Sequence, residues 1–170
     1  GSEMCIRDRD IPLNDLVTCA DLQQGVEEEI EVLLASNSVE CRWYNQCPTH
    51  LLRCHKDALI GAVLNLVNNA AQAGCHAINI RLALSGEAQI RLCVEDDGPG
   101  IDDELLASVR DVFVTTKAQG TGLGLSVVDS VAQRHGGSFR LNSKLGEGTR
   151  ACLELPLAQL TQSKICEVGV

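Results

Sequence analysis

Aromatic residues are almost missing from this chain of 170 residues: two Phe, one Tyr and one Trp amount to 2% of it. Its core cannot rely on ring packing, and with 45% of the residues apolar it must be assembled from Leu, Val, Ile and Ala. Such a composition suits a layered α/β (α+β) architecture, and the length suits one domain. Basic residues are also few. Fourteen Lys and Arg against 23 Asp and Glu leave a formal charge of −9, which excludes a general nucleic-acid binder, because counterion release needs grouped cations. Any phosphate must be met locally. No apolar run is long enough to span a membrane, and no basic start with an apolar middle marks a signal peptide, so a cytoplasmic domain is expected. A close CxxC pair is also absent. The nine cysteines are scattered through periodic segments and read as reduced, small buried hydrophobes, and Cys41, Cys47, Cys54 and His55 lack the spacing of a zinc site.

Periodicity supplies the elements. Leu13, Leu16 and Val17, then Val26, Ile30, Leu33 and Leu34, fall at roughly helical spacing, with a helix expected over 20–35. Val39, Cys41 and Trp43 alternate with polar neighbours as a strand. A second helix is expected from Lys56 to Ala73, stopped by Gly74. Along one side of it Asn65, Asn69 and Gln72 recur at intervals of four and three. Ile78–Leu84 and Ile90–Val94 read as a hairpin about Ser85-Gly86, ending in Glu95-Asp96-Asp97-Gly98-Pro99-Gly100. Residues 102–110 suit a short helix and 112–124 a flexible stretch. Another helix begins near Gly122 and ends at His135 before Gly136-Gly137, and a last hairpin pairs 138–144 with 149–155 across Gly146-Glu147-Gly148. The first twelve residues read as a cloning scar and linker remnant, 13–156 as the domain, and 157–170 as a loose tail.

Each polar motif is ambiguous alone. Gly120-Thr121-Gly122-Leu123-Gly124 opening a helix offers unpaired N–H groups and a positive dipole end to a phosphate, but a structural turn would look the same. Asp96-Asp97-Gly98-Pro99-Gly100 could be an ordinary acidic turn. Asn65 and Asn69 spend helix propensity without local gain, although a solvated polar face would carry them equally.

Their order is what distinguishes them. Asn65-Leu-Val-Asn-Asn69-Ala, Asp96-Asp-Gly98-Pro-Gly100-Ile101, Phe113-Val-Thr115-Thr116-Lys117, Gly120-Thr121-Gly122-Leu123-Gly124-Leu125 and Gly146-Glu-Gly148-Thr149 together resemble the successive N, G1, F, G2 and final glycine boxes of sensor histidine-kinase catalytic domains. The resemblance runs from Leu59 to about Leu155. It implies the Bergerat ATP-binding fold: a two-layer sandwich with a mixed, mostly antiparallel sheet and three main helices on one face. It implies ATP and Mg²⁺ as cofactors, with Asn69 as the oxygen ligand of magnesium and Asn65 near metal-bound water or phosphate. Asp96 would accept a hydrogen bond from the adenine amino group, Gly98, Gly100 and Ile101 would flank the base, and Thr149 would reach its edge through water. Lys117 in a mobile lid, with Phe113, Thr115, Thr116 and the stretch Gly120–Leu125, would hold the phosphates. Val112 stands where the family commonly has proline, and Val114 where it often has a second aromatic, which reads as a variant lid.

The same resemblance implies the reaction. The γ-phosphate would pass to a histidine on a separate dimerisation domain, then to an aspartate of a response regulator. None of His50, His55, His76 and His135 sits in a phosphoacceptor motif, so autophosphorylation by this chain alone is not expected. The parent protein would be a homodimer, and the fragment a monomer. Three alternatives compete. A hydrolysing clamp of the gyrase kind would carry a glutamate four residues before the magnesium asparagine, where this chain has Asn65, which cannot take a proton. An anti-sigma serine kinase fits the Thr115–Leu125 pattern less well. A docking module that has lost chemistry would be expected to lack some nucleotide residues. The short lid is similar to that of the nitrogen-regulation group, and Lys56–Ala70 further resembles flagellar-regulatory sensor kinases that drive activators of the sigma-54 polymerase.

Overall fold

A computed structural model describes residues 12–115 and 124–159, the side chains of 110–115 excepted. Strand β1 (Asp15–Thr18) leads directly into helix α1 (Cys19–Leu34), whose start is a capping box: Thr18 Oγ1 accepts the Asp21 N–H at 3.0 Å and the Asp21 carboxylate accepts the Thr18 N–H. Helical spacing is therefore not the pattern of Leu16 and Val17. Val17 is buried and Leu16 is 43% exposed, the alternation of a strand. This segment pairs antiparallel with β3 (Leu51–Cys54) in a two-stranded ribbon that the periodicity of either segment alone did not predict.

The main sheet has the order β2-β4-β5-β7-β6, with β2 (Glu40–Asn45), β4 (Ala77–Ser85), β5 (Gln89–Asp96), β6 (Ser138–Lys144) and β7 (Gly148–Pro156). Only the β2–β4 pair is parallel. A parallel pair needs a long crossover, and here the connection contains β3 and helix α2 (Lys56–Gln72). On the inner sheet face Ile78, Ile80, Leu82, Ile90, Leu92, Leu153 and Leu155 are each at most 2% exposed, and they share one core with Leu22 and Val26 of α1, Leu59 and Val63 of α2, and Val128 of helix α4 (Leu125–Arg134). Fully burying each such side chain stabilises the fold by roughly 1.5–3 kcal/mol. The outer face carries charge instead. Arg81 pairs with Glu95 and Arg91 with Glu154, while Arg81 also stacks over the Tyr44 ring.

Two expectations need correction. Helix α3 runs over Asp103–Thr115, so residues 112–115 continue a helix that was expected to end at 110. No glycine or proline interrupts this span, and a proline at 112 would have stopped it. With α3 there are four helices among the described residues, the number expected from the sequence, and the one expected to be short is longer than predicted. Secondly, the chain is not wholly reduced: Cys93 and Cys152 form a disulfide. They face each other directly in the β5–β7 register and project from the sheet face away from the helices. The other described cysteines are thiols. Cys19, Cys47, Cys54 and Cys75 are buried, burial pushes the Cys19 thiol up to about 12, and its sulfur lies 3.9 Å from that of Cys47.

Helix α2 is anchored by two unexpected caps. His55 Nδ1 accepts the Ala58 N–H at 3.1 Å, and Asp15 of β1 accepts the Lys56 N–H at 2.9 Å. His135, just past α4, completes the arrangement: its Nε2 accepts the His55 N–H at 3.0 Å while its Nδ1 lies 2.7 Å from the Val131 carbonyl. A carbonyl can only accept, so the proton sits on Nδ1 and the ring is neutral. Burial, with a smaller contribution from His55, holds the His135 pKa below its ordinary 6.5, against the opposing effect of the Val131 carbonyl. A depressed histidine stabilises the fold fully above its unfolded value and loses that contribution as the pH falls through its folded value. Urea unfolding is therefore expected to show a midpoint that drops on acidification below pH 6.5, and His135→Gln should flatten that part of the pH profile.

Candidate nucleotide-binding site

Between α2, α3, the start of α4 and the sheet lies a cavity of about 430 Å³. Its walls are mainly apolar: Leu66, Ala70 and Ala73 from the α2 side, Leu105 and Val109 one turn apart on α3, Leu125 at the first turn of α4, and Val94, Leu141 and Ala151 from the sheet. Polar groups enter at few points. Asn69 comes from the last turns of α2, Asp96 from the end of β5, and Thr149 from the start of β7, with Gly100 and Ile101 along the connecting loop. A concave, mainly apolar cavity with a small number of placed polar atoms is the usual form of a small-molecule site.

The two neighbouring acids have different environments. Asp97 Oδ1 accepts the N–H groups of His76 and Ala77 at 2.7 and 2.9 Å, and these bonds hold its carboxyl below the usual range. It ties the end of β5 to the start of β4. Asp96 lines the cavity instead. Burial raises its pKa, opposed by backbone N–H groups of Gly98 and Thr149, the first at 2.8 Å from Oδ1.

The loop after Asp96 is fastened to the β6–β7 hairpin. The Gly146 N–H donates to the Pro99 carbonyl at 2.7 Å, and the Ile101 N–H donates to Ser143 Oγ at 2.8 Å. Gly100 adopts φ +74°, and a Cβ there would sit 2.0 Å from the Lys144 carbonyl oxygen; at Gly148, φ +85°, a Cβ would sit 2.1 Å from the Asp96 carbonyl oxygen. Both positions combine a left-handed backbone with a contact no side chain can enter. At Gly98 a Cβ would meet the Asp96 carboxylate at 2.9 Å, so the residue leaves room for that side chain.

Asn65, one turn before Asn69, faces the start of α4, where its Oδ1 is 3.2 Å from the position a Gly124 Cβ would take. The second-helix polar side and the end of the glycine stretch are thus adjacent. Gly124 itself has φ +63° and precedes α4, so this helix begins at Leu125 and not at Gly122. Thr116, Lys117, Gly120, Thr121, Gly122 and Leu123 lie outside the described residues. Phe113 and Thr115 belong to α3 by their backbone, and their side chains lie outside the description.

Of the apolar walls sequence reading named only Ile101 and Leu125, and it missed the rest and Ser143. Leu66, Ala70 and Ala73 flank Asn69 on the same helix side, and the small Ala residues leave space that larger ones would fill; that spacing was visible, but not which helix face lay open. Ser143 had no signal, since it lies on β6 and reaches the loop only through the fold.

Residues 54–159 match the family model described as histidine kinase-, DNA gyrase B-, and HSP90-like ATPase. The chain belongs to this ATP-binding family. It is 41% identical over 149 residues to the sensor protein kinase FleS of Pseudomonas aeruginosa, covering 87% of this chain and 37% of that protein. It is 31% identical over 135 residues to the sensory histidine kinase/phosphatase NtrB of Rhizobium meliloti, covering 63% and 35%. Among solved structures, the nucleotide-free catalytic domain of the histidine kinase ThkA superposes with a TM-score of 0.70 at 25% identity, over 84% of this chain and 94% of that one. The chain thus spans little more than a third of the length of FleS and NtrB. The mixed sheet covered by helices on one face is the Bergerat fold.

The close approach at Gly148 should be measurable. Gly148→Ala must accommodate both the left-handed φ and the Asp96 carbonyl, whereas Gly146→Ala, at φ +83° with nothing within 4 Å of its Cβ, meets only the first cost. Gly146→Ala is expected to lose about 1–2 kcal/mol in urea unfolding, and Gly148→Ala clearly more.

Proposed function

We propose that this chain is the catalytic and ATP-binding domain of a sensor histidine kinase, and that it presents the γ-phosphate of ATP to a histidine on a separate helical domain. The observation that carries the reading is the meeting of Asn69, Asp96 and Thr149 on one apolar cavity. In this reading the base enters between the sheet and α2, its amino group donates to the Asp96 carboxylate, and the triphosphate extends toward Asn69 and the start of α4. The raised pKa of Asp96 matters here, because only the ionised carboxylate is a pure acceptor. Lys117 and the stretch Gly120–Leu123, outside the described residues, would meet the phosphates as the family resemblance implies.

The donor set fits magnesium. Asn69 offers a neutral amide oxygen on the cavity wall, and magnesium needs few protein ligands because it keeps several waters and takes phosphate oxygens. When bound there, the ion would neutralise phosphate charge. The remainder of the work is positioning, which is what phosphoryl transfer chiefly demands of a protein. Asn65 supports transfer over hydrolysis, since an amide beside the phosphates cannot take a proton from water.

The acceptor histidine, and the response-regulator aspartate that would receive the phosphate from it, belong to the proposal for the whole protein. So do a homodimeric parent and a cytoplasmic setting for this domain. Among the described residues no helix is long and apolar enough to cross a membrane. The similarity to NtrB supports the nitrogen-regulation group, and the stretch Lys56–Ala70 supports a flagellar-regulatory kinase acting on a sigma-54 activator.

Titration calorimetry with Mg-ATP tests the first half. Asp96→Asn should weaken binding by roughly ten- to a hundredfold, the range for losing a hydrogen bond to a charged group, and Asn69→Asp should weaken it as well, by placing a carboxylate against the phosphates. Binding that survives both changes would remove those roles. For the second half, the chain is mixed with Mg-ATP and a separate phosphoacceptor hairpin from a related sensor kinase, and phosphohistidine is measured. Transfer to the hairpin with little free phosphate is expected; tight ATP binding without transfer to any such hairpin would favour a docking module instead.

A further inference from the structure

Thr149 borders the cavity beside Asp96, but its hydroxyl is directed by a residue of the adjacent strand. Ser143 Oγ has three partners. It accepts the Ile101 N–H at 2.8 Å, lies 2.9 Å from the Gly148 carbonyl oxygen, and lies 2.8 Å from Thr149 Oγ1. A serine hydroxyl owns one hydrogen and two lone pairs. The Gly148 carbonyl can only accept, so the hydrogen goes there. One lone pair is taken by the Ile101 N–H, and the other faces Thr149. The 2.8 Å contact is then filled by the hydrogen of Thr149, and Thr149 Oγ1 is left with lone pairs alone for the cavity.

We propose that Ser143 is a positioning residue for base selection: by consuming the Thr149 hydrogen it makes the polar end of the cavity accept only. Asp96 and Thr149 then both present acceptors, a combination that takes an exocyclic amino group at position 6 of a purine and repels a carbonyl oxygen at that position. Without Ser143, Thr149 could turn its hydrogen into the cavity and donate to such a carbonyl. Selection of 6-amino over 6-oxo purines would thus depend on a hydroxyl that does not itself line the cavity. This inference rests on the cavity being a purine nucleotide site, as proposed above.

Ser143 also secures the loop through Ile101, so its loss should weaken every nucleotide to some degree. The ratio of affinities separates the two effects. Calorimetry with Mg-ATP and with the inosine analogue Mg-ITP, in which the amino group is replaced by a carbonyl, is run on wild type, Ser143→Ala, Thr149→Val and the double variant. Ser143→Ala is expected to reduce the preference for ATP by about five- to tenfold, the scale of one neutral hydrogen bond. Ser143→Thr, which keeps the hydroxyl, should restore the wild-type ratio. In the Thr149→Val background, Ser143→Ala should leave the ratio unchanged, because there is no hydrogen left to redirect. If Ser143→Ala does not fold, Ser143→Cys, with its weak acceptor, should move the ratio in the same direction. Equal losses for both nucleotides in Ser143→Ala, with normal ATP binding by wild type, would overturn this inference alone. Failure of the wild-type chain to bind either nucleotide would overturn the nucleotide reading and this inference with it.

Discussion

The cavity exists because two backbones meet with no side chain between them. At Gly148 the β7 strand comes so near the end of β5 that a Cβ would touch the Asp96 carbonyl, and at Gly100 the following loop comes equally near Lys144. These contacts fix where Asp96 and Thr149 stand relative to each other, since the two are direct partners in the β5–β7 register. The loop between Asp96 and α3 is then carried across the hairpin and pinned by Pro99, Ile101 and Ser143. What remains is a gap between this pinned edge and α2. Move either glycine and the polar end of the gap loses its geometry before any ligand arrives.

The opposite wall depends on α2 holding still. Its first turn is satisfied from two distant parts of the chain, Asp15 in β1 and, through the His55 backbone, His135 after α4. The same helix carries Asn65 and Asn69 near its other end. A rigid helix of 17 residues transmits an anchor at one end into a fixed position at the other, which explains why a small ribbon remote from the cavity still bears on the site. It also gives the neutral state of His135 a structural consequence, because a protonated ring could not accept the His55 N–H.

Much of this was legible in the sequence, and the limits have physical causes. The long periodic elements, α1, α2, β4 and β5, were apparent because one face of each is buried and the other is wet. The cavity's polar residues were legible through the order of five motifs. What did not show was anything created by register or distance: the β1–β3 ribbon, whose strands have four residues each; the Cys93–Cys152 disulfide, whose partners are 59 residues apart; the histidine caps; and Ser143. Asp96 and Asp97 illustrate the boundary well. Adjacent and chemically identical, they differ in burial and in which backbone N–H groups the fold brings to each.

Charge poses the remaining problem, for a chain of net charge −9 is proposed to hold a triphosphate. Among the described residues the cavity wall contains no Lys or Arg, and its one formal charge is the Asp96 carboxylate. Favourable attraction therefore cannot come from the walls, which suit a neutral aromatic base and nothing more anionic. Under the proposed reading, compensation would have to come where the phosphates would lie, from an ion at Asn69, from the N–H groups at the start of α4 and from Lys117, which lies outside the described residues. The cavity would then divide its ligand by polarity: the base is selected in a dry slot by a few acceptors, while the phosphates remain at an edge where cations and a partner domain can reach them. A donor site built in this way has no reason to bury its γ-phosphate, and an exposed γ-phosphate is what transfer to a histidine on another domain requires.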